Sequence, residues 1–265
     1  MLRADAHRYG AYRPRPVGSV RGTFERELER MELQALVMAG GRGSRLDPLT
    51  AFLPKPLVPV ADRPVMEHVV ALLAAQGVRR LTVSVGYLAP LVQAYFGDGE
   101  RFGVRIRYLV EDRPLGTAGA IAQFGGWQGS LVVMNADILC DLDLAAMRAR
   151  HGALGALATV ATVEQVSRLP TASVEVDPEG RVVRYREKPE VRHRVAIGCY
   201  LVESGILGHL RPEEAVDMPD LLQRLVEAGC PVAAYPHGGR WIDVGSPDDL
   251  QRAQTFAAAA EGAAG

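Results

Sequence analysis

The stretch LQALVMAGGRGSRLDPLT, residues 33–50, joins an apolar run to a glycine-rich loop. Residues 33–39 are nearly all apolar, which predicts a strand that is buried on both faces. In open α/β sheets, ligands bind beyond the carboxyl ends of the strands. We therefore expect a ligand site in the loop that starts at Gly40.

Strand-like and helix-like segments alternate after this loop. In order, the patterns predict a helix over 65–77, a strand over 80–86, a helix over 88–97, a strand over 104–110, a helix from 116 and a strand over 130–137. This alternation indicates an α/β fold with a doubly wound, mostly parallel sheet and helices on both faces. After residue 155 the alternation of strands and helices stops. Strand patterns at 156–163, 172–177 and 181–187 predict an antiparallel portion.

Composition excludes several classes of protein. The chain has 265 residues, of which 48% are hydrophobic, and a net charge of −1 gives no reason to expect nucleic-acid binding. No stretch is apolar over the ~18 residues that a membrane span needs. The cysteines, Cys140, Cys199 and Cys230, have no metal-like spacing and favour a reducing, cytoplasmic compartment.

The pattern also predicts where the domain begins and ends. Residues 1–30 carry seven arginines and little apolar pattern, so we expect a poorly ordered basic extension, an early start codon, or a basic arm over the site or a partner. A single domain is predicted over 31–257. The remaining residues, 258–265, are predicted to form a flexible tail.

The loop after the first strand has the composition of a polyanion site. Gly40, Gly41 and Gly43 let backbone amides approach phosphate closely, and Arg42 and Arg45 supply positive charge. Two known phosphate motifs do not fit. The third glycine of the dinucleotide fingerprint is replaced by Leu46, and no Walker A sequence is present.

Two aspartates follow apolar strand-like runs far apart in sequence. Asp137 ends the run LVVMNAD, and Asp243 follows Trp241 and Ile242. Two such carboxylates could share one divalent ion, and hard oxygen ligands suit Mg²⁺. For Asp137 the alternative is a cap on the next helix. Capping does not account for Asp243, because Ser246 and Pro247 already form a helix start.

A second glycine loop and two lysines complete the candidate site. Gly116, Thr117 and Gly119 form a turn at a predicted helix N-terminus. Only two of the 30 basic residues are lysines, and both Lys55 and Lys188 stand directly before a proline. A compact ammonium can enter a crowded cluster of oxygens that excludes the planar fork of arginine. Together these features predict a phosphate-rich substrate with Mg²⁺.

Seven segments, in order along the chain, resemble those of the sugar-1-phosphate nucleotidylyltransferases: LVMAGGRGSRLDPLT, LPKPLVPVADRPVMEH, VEDRPLGTAGAI, VMNADIL, REKP, IGCYLV and WIDVGSPDDL. The resemblance covers residues 33–255 and is strongest to the mannose-1-phosphate guanylyltransferase and heptose-1-phosphate nucleotidyltransferase branch. It implies a Rossmann-like fold of the nucleotide-diphospho-sugar transferase type, with a smaller antiparallel sugar-binding portion. It also implies an NTP and a sugar 1-phosphate as substrates, Mg²⁺ as cofactor and a possible homo-oligomer.

By the same resemblance, site residues can be named on this chain. Nucleotide contacts are implied for Ala39, Gly40, Gly41, Arg42, Gly43, Ser44, Arg45, Glu111, Gly116, Thr117, Asn135 and Ala136. The sugar phosphate would meet Glu187, Lys188 and Gly198, and Mg²⁺ would be held by Asp137 and Asp243. Catalytic roles are implied for Arg45, Lys55 and Lys188.

The sequence leaves the base and the sugar open. Ala136, Ala172 and Ala196 differ from residues that are common in the family around the pocket, so a standard hexose is not implied. Uridylyl, thymidylyl, cytidylyl or adenylyl transfer to another sugar phosphate is the alternative. A non-catalytic regulatory subunit with the same fold is a further alternative. The glycine fingerprint lacks its third glycine, and this argues against a dinucleotide-dependent oxidoreductase.

Overall fold

A computed structural model describes residues 33–261 of the protein, and the predicted extension at residues 1–30 lies outside them. The described part contains six α-helices: α1 (Val65–Ala75), α2 (Ala89–Phe96), α3 (Gly116–Phe124), α4 (Leu144–Ala153), α5 (Met218–Glu227) and α6 (Pro247–Glu261). Its strands are β1 (Gln34–Ala39), β2 (Pro59–Val60), β3 (Arg63–Pro64), β4 (Arg80–Val85), β5 (Arg105–Val110), β6 (Ser130–Asn135), β7 (Ile138–Cys140), β8 (Ala158–Arg168), β9 (Ser173–Val176), β10 (Val182–Arg186), β11 (Glu190–Glu203), β12 (Val232–Pro236) and β13 (Trp241–Asp243).

Seven strands form the central sheet in the order β12-β8-β11-β6-β1-β4-β5. Every neighbouring pair is parallel except the two that involve β11, which runs antiparallel to both β6 and β8. The predicted α/β fold with a mostly parallel, mixed sheet is therefore confirmed. Strand β1 lies near the middle, and Leu36 and Val37 are both fully buried, as the apolar run predicts.

Helices cover both faces of this sheet, because successive side chains of each strand point to opposite sides. One apolar cluster joins Val37 of β1 to buried residues of α1, α2 and α4. The other joins Leu36 to buried residues of α3 and α5. Burial of apolar surface on the two sides supplies the main driving force for this arrangement.

A short ribbon beside the main sheet brings the C-terminal segment to the site. Strand β13 pairs antiparallel with β7, so that Asp243 lies opposite Ile138. Ile242 and Val244 are buried with Leu139 and with Ala253 of α6. The helix α6 begins as predicted, since the Asp249 amide donates to the Ser246 hydroxyl at 3.2 Å and Pro247 is the first helical residue. The ribbon therefore fixes Asp243 next to the strand that follows Asp137.

The predicted antiparallel portion consists of two pieces. Strands β8 and β11 pair along most of their length, and β9 and β10 form a separate hairpin. Glu187 and Lys188 lie in the segment that leads from β10 to β11, and both are exposed. None of the helices within residues 33–261 combines the length and the apolar composition that a membrane crossing requires.

Candidate active site

A cavity of about 630 Å³ lies where the loops after β1, β4, β5 and β6 meet. Its position agrees with the general rule for open α/β sheets. The lining residues are Met38, Ala39, Gly40, Gly41, Arg42, Lys55, Pro56, Gly86, Tyr87, Glu111, Asp112, Arg113, Pro114, Gly116, Thr117, Asn135, Ala136, Asp137 and Asp217. A volume of this size accommodates a small-molecule ligand such as a nucleotide.

The glycine loop is closely packed against its neighbours. A Cβ atom on Gly86 would lie 3.0 Å from the Gly40 carbonyl oxygen, and one on Gly40 would lie 3.2 Å from Glu111 Oε1. Gly43 has φ +70°, and a Cβ there would lie 3.0 Å from Lys55 Cβ. Gly43 is therefore needed both for its left-handed backbone and for the approach of the Lys55 side chain.

A buried threonine braces the far end of this loop. Thr50 is fully buried, and its hydroxyl oxygen lies 2.9 Å from the Gly43 carbonyl oxygen and 2.8 Å from Asp47 Oδ1. The Leu46 amide also donates to the Gly43 carbonyl at 2.9 Å. These contacts fix the loop without using the amides that face the cavity.

Lys55 and the two aspartates form the charged part of the site. The Lys55 ammonium forms an ion pair with Asp137 Oδ2, and its Nζ lies 4.0 Å from Asp243 Oδ1. Lys55 is only 9% exposed, so this pairing offsets the cost of burying its charge. Two carboxylates that are far apart in sequence thus share one ammonium group.

The pair of aspartates fits a divalent metal ion. Oδ1 of Asp137 and Oδ1 of Asp243 are buried and accept no hydrogen bond within the described residues. Across residues 33–261, three or more His, Cys, Asp or Glu side chains nowhere gather into a complete metal cage. Two free carboxylate oxygens without further protein ligands suit Mg²⁺, which is often held by one or two carboxylates together with substrate phosphates.

The carboxyl of Asp243 has a raised pKa. Burial disfavours its charged form and is the largest cause, and the negative charge of Asp137 acts in the same direction. Lys55 and Arg45 partly oppose this effect. An additional cation at the pair would relieve the remaining repulsion between the two carboxylates.

The alternative role for Asp137, a helix cap, is wrong. Strand β7 begins at Ile138, directly after Asp137, and the next helix begins only at Leu144. The cap of that helix is Asp143, whose Oδ1 accepts a hydrogen bond from the Ala146 amide at 2.9 Å. Asp137 is therefore left to interact with Lys55 and the cavity.

The second glycine loop is joined to the start of α5. Asp217 Oδ1 accepts a hydrogen bond from the Thr117 amide at 3.0 Å, and Thr117 Oγ1 accepts one from the Met218 amide at 2.8 Å. A Cβ on Gly116, which has φ +73°, would lie 2.5 Å from the Val216 carbonyl oxygen. The Thr117 amide therefore already has a hydrogen-bond partner within the protein.

Glu111 stabilises the loop that leads to Gly116. Its carboxylate accepts hydrogen bonds from the Ser84 hydroxyl and, at 3.2 Å, from the Leu115 amide. Gly198 has φ +76°, and a Cβ there would lie 2.7 Å from Asn135 Nδ2. Gly198 therefore lies behind a residue that lines the cavity, although it does not line the cavity itself.

Some residues implied by the resemblance are not part of the cavity wall. Gly43, Ser44 and Arg45 are not among the lining residues, and the guanidinium of Arg45 lies about 3.4 Å from the position of a Cβ on Gly245. Glu187 and Lys188 lie on the antiparallel portion, away from the lining residues. Their assigned roles remain predictions.

Other lining residues were not found from the sequence. Gly86 and Tyr87 follow β4, so the rule that ligands bind at strand ends could have identified them. Asp112 and Arg113 lie in a loop from which only Glu111, Gly116 and Thr117 are predicted as nucleotide contacts. Asp217 precedes a helix, and its cavity position depends on a contact with a residue 100 positions away. No local signal marks it.

Comparison with known proteins supports the resemblance. The family model for nucleotidyl transferases matches residues 34–260. A mannose-1-phosphate guanylyltransferase of Mycobacterium tuberculosis is 32% identical over 227 residues, which cover 83% of this chain and 63% of that protein. A UTP–glucose-1-phosphate uridylyltransferase of Synechocystis is 31% identical over 241 residues, covering 83% and 62%. The chain thus spans under two thirds of the length of these relatives.

Solved structures share the fold. HddC of Yersinia pseudotuberculosis superposes with a TM-score of 0.68 at 23% identity, over 84% of this chain and 99% of that one. Its complex with GMP-PN gives a TM-score of 0.67 at 22% identity, over the same shares of the two chains. Because the family model extends over nearly all of the described residues and the relatives are sugar-1-phosphate nucleotidylyltransferases, the predicted membership is confirmed: this chain belongs to the nucleotidyl transferase family.

Proposed function

We propose that the protein transfers a nucleotidyl group from an NTP to a sugar 1-phosphate and releases pyrophosphate. The observation that carries this proposal is the placement of Lys55 between Asp137 and Asp243, at the wall of a cavity formed by a glycine loop. Glycine amides, an ammonium and a carboxylate pair that fits a metal together suit a substrate with several phosphates.

In the proposed reaction, a phosphate oxygen of the sugar 1-phosphate attacks the α-phosphorus of the NTP. A new P–O bond forms, the bond between the α-phosphorus and the bridging oxygen breaks, and pyrophosphate leaves with the electron pair. Such transfers need little covalent chemistry from the protein, because positioning and charge neutralisation lower the barrier. The loop at 40–43 would hold the phosphate chain, and the ammonium of Lys55 would offset charge that develops during transfer.

Asp137 and Asp243 would hold Mg²⁺, and the Oδ1 atom of each accepts no hydrogen bond within the described residues. When bound, the ion would neutralise phosphate charge. Without it, Lys55 remains the nearest cation to both carboxylates.

For the base, we favour guanine. Glu111, Asp112 and Asp217 line the cavity, and their carboxylates are acceptors only. Glu111 and Asp217 already accept hydrogen bonds from the protein, so Asp112 is the carboxylate that we assign to the base. Guanine presents two adjacent donors on its Watson–Crick edge, whereas uracil presents one. Named relatives include both a guanylyl and a uridylyl transferase, so uridylyl, thymidylyl, cytidylyl and adenylyl transfer remain alternatives. A mannose- or heptose-type 1-phosphate is the favoured acceptor on the resemblance.

The sugar phosphate is proposed to meet Glu187, Lys188 and Gly198. Lys188 has φ +42°, an uncommon backbone conformation for a residue with a side chain. Such conformations often occur at functional sites. Lys188→Arg retains the charge, so a marked rise in the KM for the sugar phosphate would support this role, and unchanged kinetics would refute it.

The decisive experiment is a matrix of the five common NTPs against a panel of sugar 1-phosphates, with pyrophosphate release as the readout. One productive pair, abolished by Asp137→Asn, supports the proposal and names the base and the sugar. Nucleotide binding without turnover in any pair would support the regulatory-subunit alternative.

We also expect a cytoplasmic protein and a homo-oligomer, and sedimentation analysis tests the oligomer.

A further inference from the structure

Tyr87 connects three parts of the candidate site. It lies two residues after the end of β4, and its amide donates to the Gly40 carbonyl at 3.4 Å. Its hydroxyl donates to the Ala51 carbonyl at 2.8 Å. The guanidinium carbon of Arg42 lies 5.5 Å from the centre of its ring. One residue therefore contacts the beginning of the glycine loop, the turn beyond the loop and the arginine within it.

The two hydrogen bonds restrict the movement of the Tyr87 ring, on which Arg42 stacks. The backbone is attached to the glycine loop, and the far end of the side chain is attached to the turn Leu49–Ala51. A ring that is held at both ends loses little further freedom when a cation stacks on it. The separation of 5.5 Å is within the range of cation–π attraction.

Arg42 has charge available for a ligand. It is exposed, it lines the cavity, and no carboxylate within residues 33–261 forms a salt bridge with it. An arginine without a carboxylate partner would otherwise sample many rotamers in water. Contact with the Tyr87 ring restricts these rotamers and leaves the N–H groups of the guanidinium free to donate.

We propose that Tyr87 is a positioning residue that holds Arg42 over the cavity to bind the phosphate chain of the nucleotide. This inference rests on the proposed function, because it assumes a polyphosphate ligand. The guanidinium fork matches phosphate oxygens in a bidentate geometry, so its orientation affects affinity as well as its charge does. The ring and hydroxyl of Tyr87 do not contact the reacting atoms in this proposal.

A double-mutant cycle on Tyr87 and Arg42 tests the proposal. The probe is inorganic tripolyphosphate, titrated calorimetrically into metal-free protein. Loss of one charge-assisted contact is expected to weaken binding about ten-fold, so Arg42→Gln should have this effect and Tyr87→Leu a large part of it. Tyr87→Leu should have almost no further effect in the Arg42→Gln background. Tyr87→Phe keeps the ring and should restore most of the affinity.

Tyr108→Phe is the matched control. The Tyr108 hydroxyl donates to the Gly97 carbonyl at 2.8 Å, as the Tyr87 hydroxyl donates to the Ala51 carbonyl, but Tyr108 does not line the cavity. Its affinity for tripolyphosphate should equal that of wild type. If Tyr87→Leu does not fold, Tyr87→Met removes the ring with a more flexible side chain of similar volume to leucine and replaces it in the cycle.

Two outcomes would overturn the proposal. Unchanged tripolyphosphate affinity in folded Tyr87→Leu would show that the ring does not position Arg42. An equal loss in the wild-type and Arg42→Gln backgrounds would show that Tyr87 acts on the loop as a whole. Because the titration involves no turnover, its result stands apart from the proposed activity, which fails only if no NTP and sugar phosphate release pyrophosphate.

Discussion

Thr117, in the first turn of α3, and Asp217, directly before α5, are a hundred residues apart, and each accepts a hydrogen bond from the start of the other's helix. The Asp217 carboxylate accepts from an amide in the first turn of α3, and the Thr117 hydroxyl accepts from the first amide of α5. The first N–H groups of a helix have no partner within it, so each side chain satisfies a group that the other helix leaves free. This exchange joins two loops of the cavity wall into one unit.

Asp217→Ala is expected to reduce both stability and nucleotide binding. Loss of a helix cap costs about 1 kcal/mol, and the loop at 115–117 should also move. Asp143→Ala is the matched control, because Asp143 caps α4 in the ordinary way and does not line the cavity. Urea denaturation and calorimetry with GTP measure the two effects. If both variants bind nucleotide like wild type, the Thr117–Asp217 exchange is only structural.

Removal of either metal-site carboxylate should slow turnover strongly. Loss of one electrostatic contact in an active site costs roughly 10²–10³ in rate. Because Asp137 and Asp243 are proposed to hold one ion together, the double change Asp137→Asn with Asp243→Asn should be far from additive. Initial rates across a Mg²⁺ titration are the measurement, with the exposed Asp98→Asn as a control. A rate near that of wild type for Asp243→Asn at low Mg²⁺ would place the metal elsewhere.

Lys55→Met should tighten metal binding to the nucleotide-free protein while it impairs turnover. The Lys55 ammonium is paired with Asp137 and lies 4.0 Å from Asp243, so a divalent ion must compete with it. Lys188→Met, the only other lysine variant that the chain offers, should leave this affinity unchanged. Titration of Mn²⁺ without nucleotide is the measurement. Weaker binding in Lys55→Met would contradict the competition.

Gly43→Ala should reduce turnover more than its backbone strain explains. The added Cβ would lie 3.0 Å from Lys55 Cβ, so the lysine stem must move. Gly103 has the same φ of +70° and nothing within 4 Å of its Cβ position, and Gly103→Ala is therefore a control with equal strain and no such contact. Each change should cost about 1–2 kcal/mol of stability. Equal activity in the two variants would show that Lys55 tolerates the displacement.

Burial should keep Cys140 unreactive in the native protein. It raises the pKa of the Cys140 thiol to about 11, and it also raises the pKa of Cys199. Alkylation requires the thiolate, so neither thiol should react at pH 8 until urea unfolds the chain. In the unfolded chain these thiols ionise first, and stability should therefore fall as the pH rises above about 9. Rapid native labelling of Cys140, located by mass spectrometry, would contradict this.

The sequence predicts the parallel part of the fold well, because each element there has its own local signal. Leu36 and Val37 lie in an apolar run that only a strand covered on both faces explains. The direction of β11 has no such signal, since its apolar residues fit a parallel or an antiparallel strand equally. Its place between β6 and β8 depends on contacts made across the whole chain.

The candidate site shows the same division. The sequence alone predicts that Asp137 and Asp243 lie close together, because residues at the ends of strands meet at one edge of a sheet. The pairing of β7 with β13 could not be predicted, because three residues are too few for a periodic pattern. Asp217 reaches the cavity only because Gly116 lets the Val216 carbonyl approach, and this is a property of packing between distant loops.

The short ribbon of β7 and β13 joins residues that are synthesised at different times, about a hundred positions apart. The glycine loop, Lys55 and Asp137 all belong to the first 137 residues, whereas Asp243 arrives with β13. Synthesis starts at the N-terminus, and a domain generally folds as a unit once its residues are available. A ribosome-bound chain that ends before residue 243 therefore holds one carboxylate of the proposed metal pair, and it gains the second only when Asp243 is added.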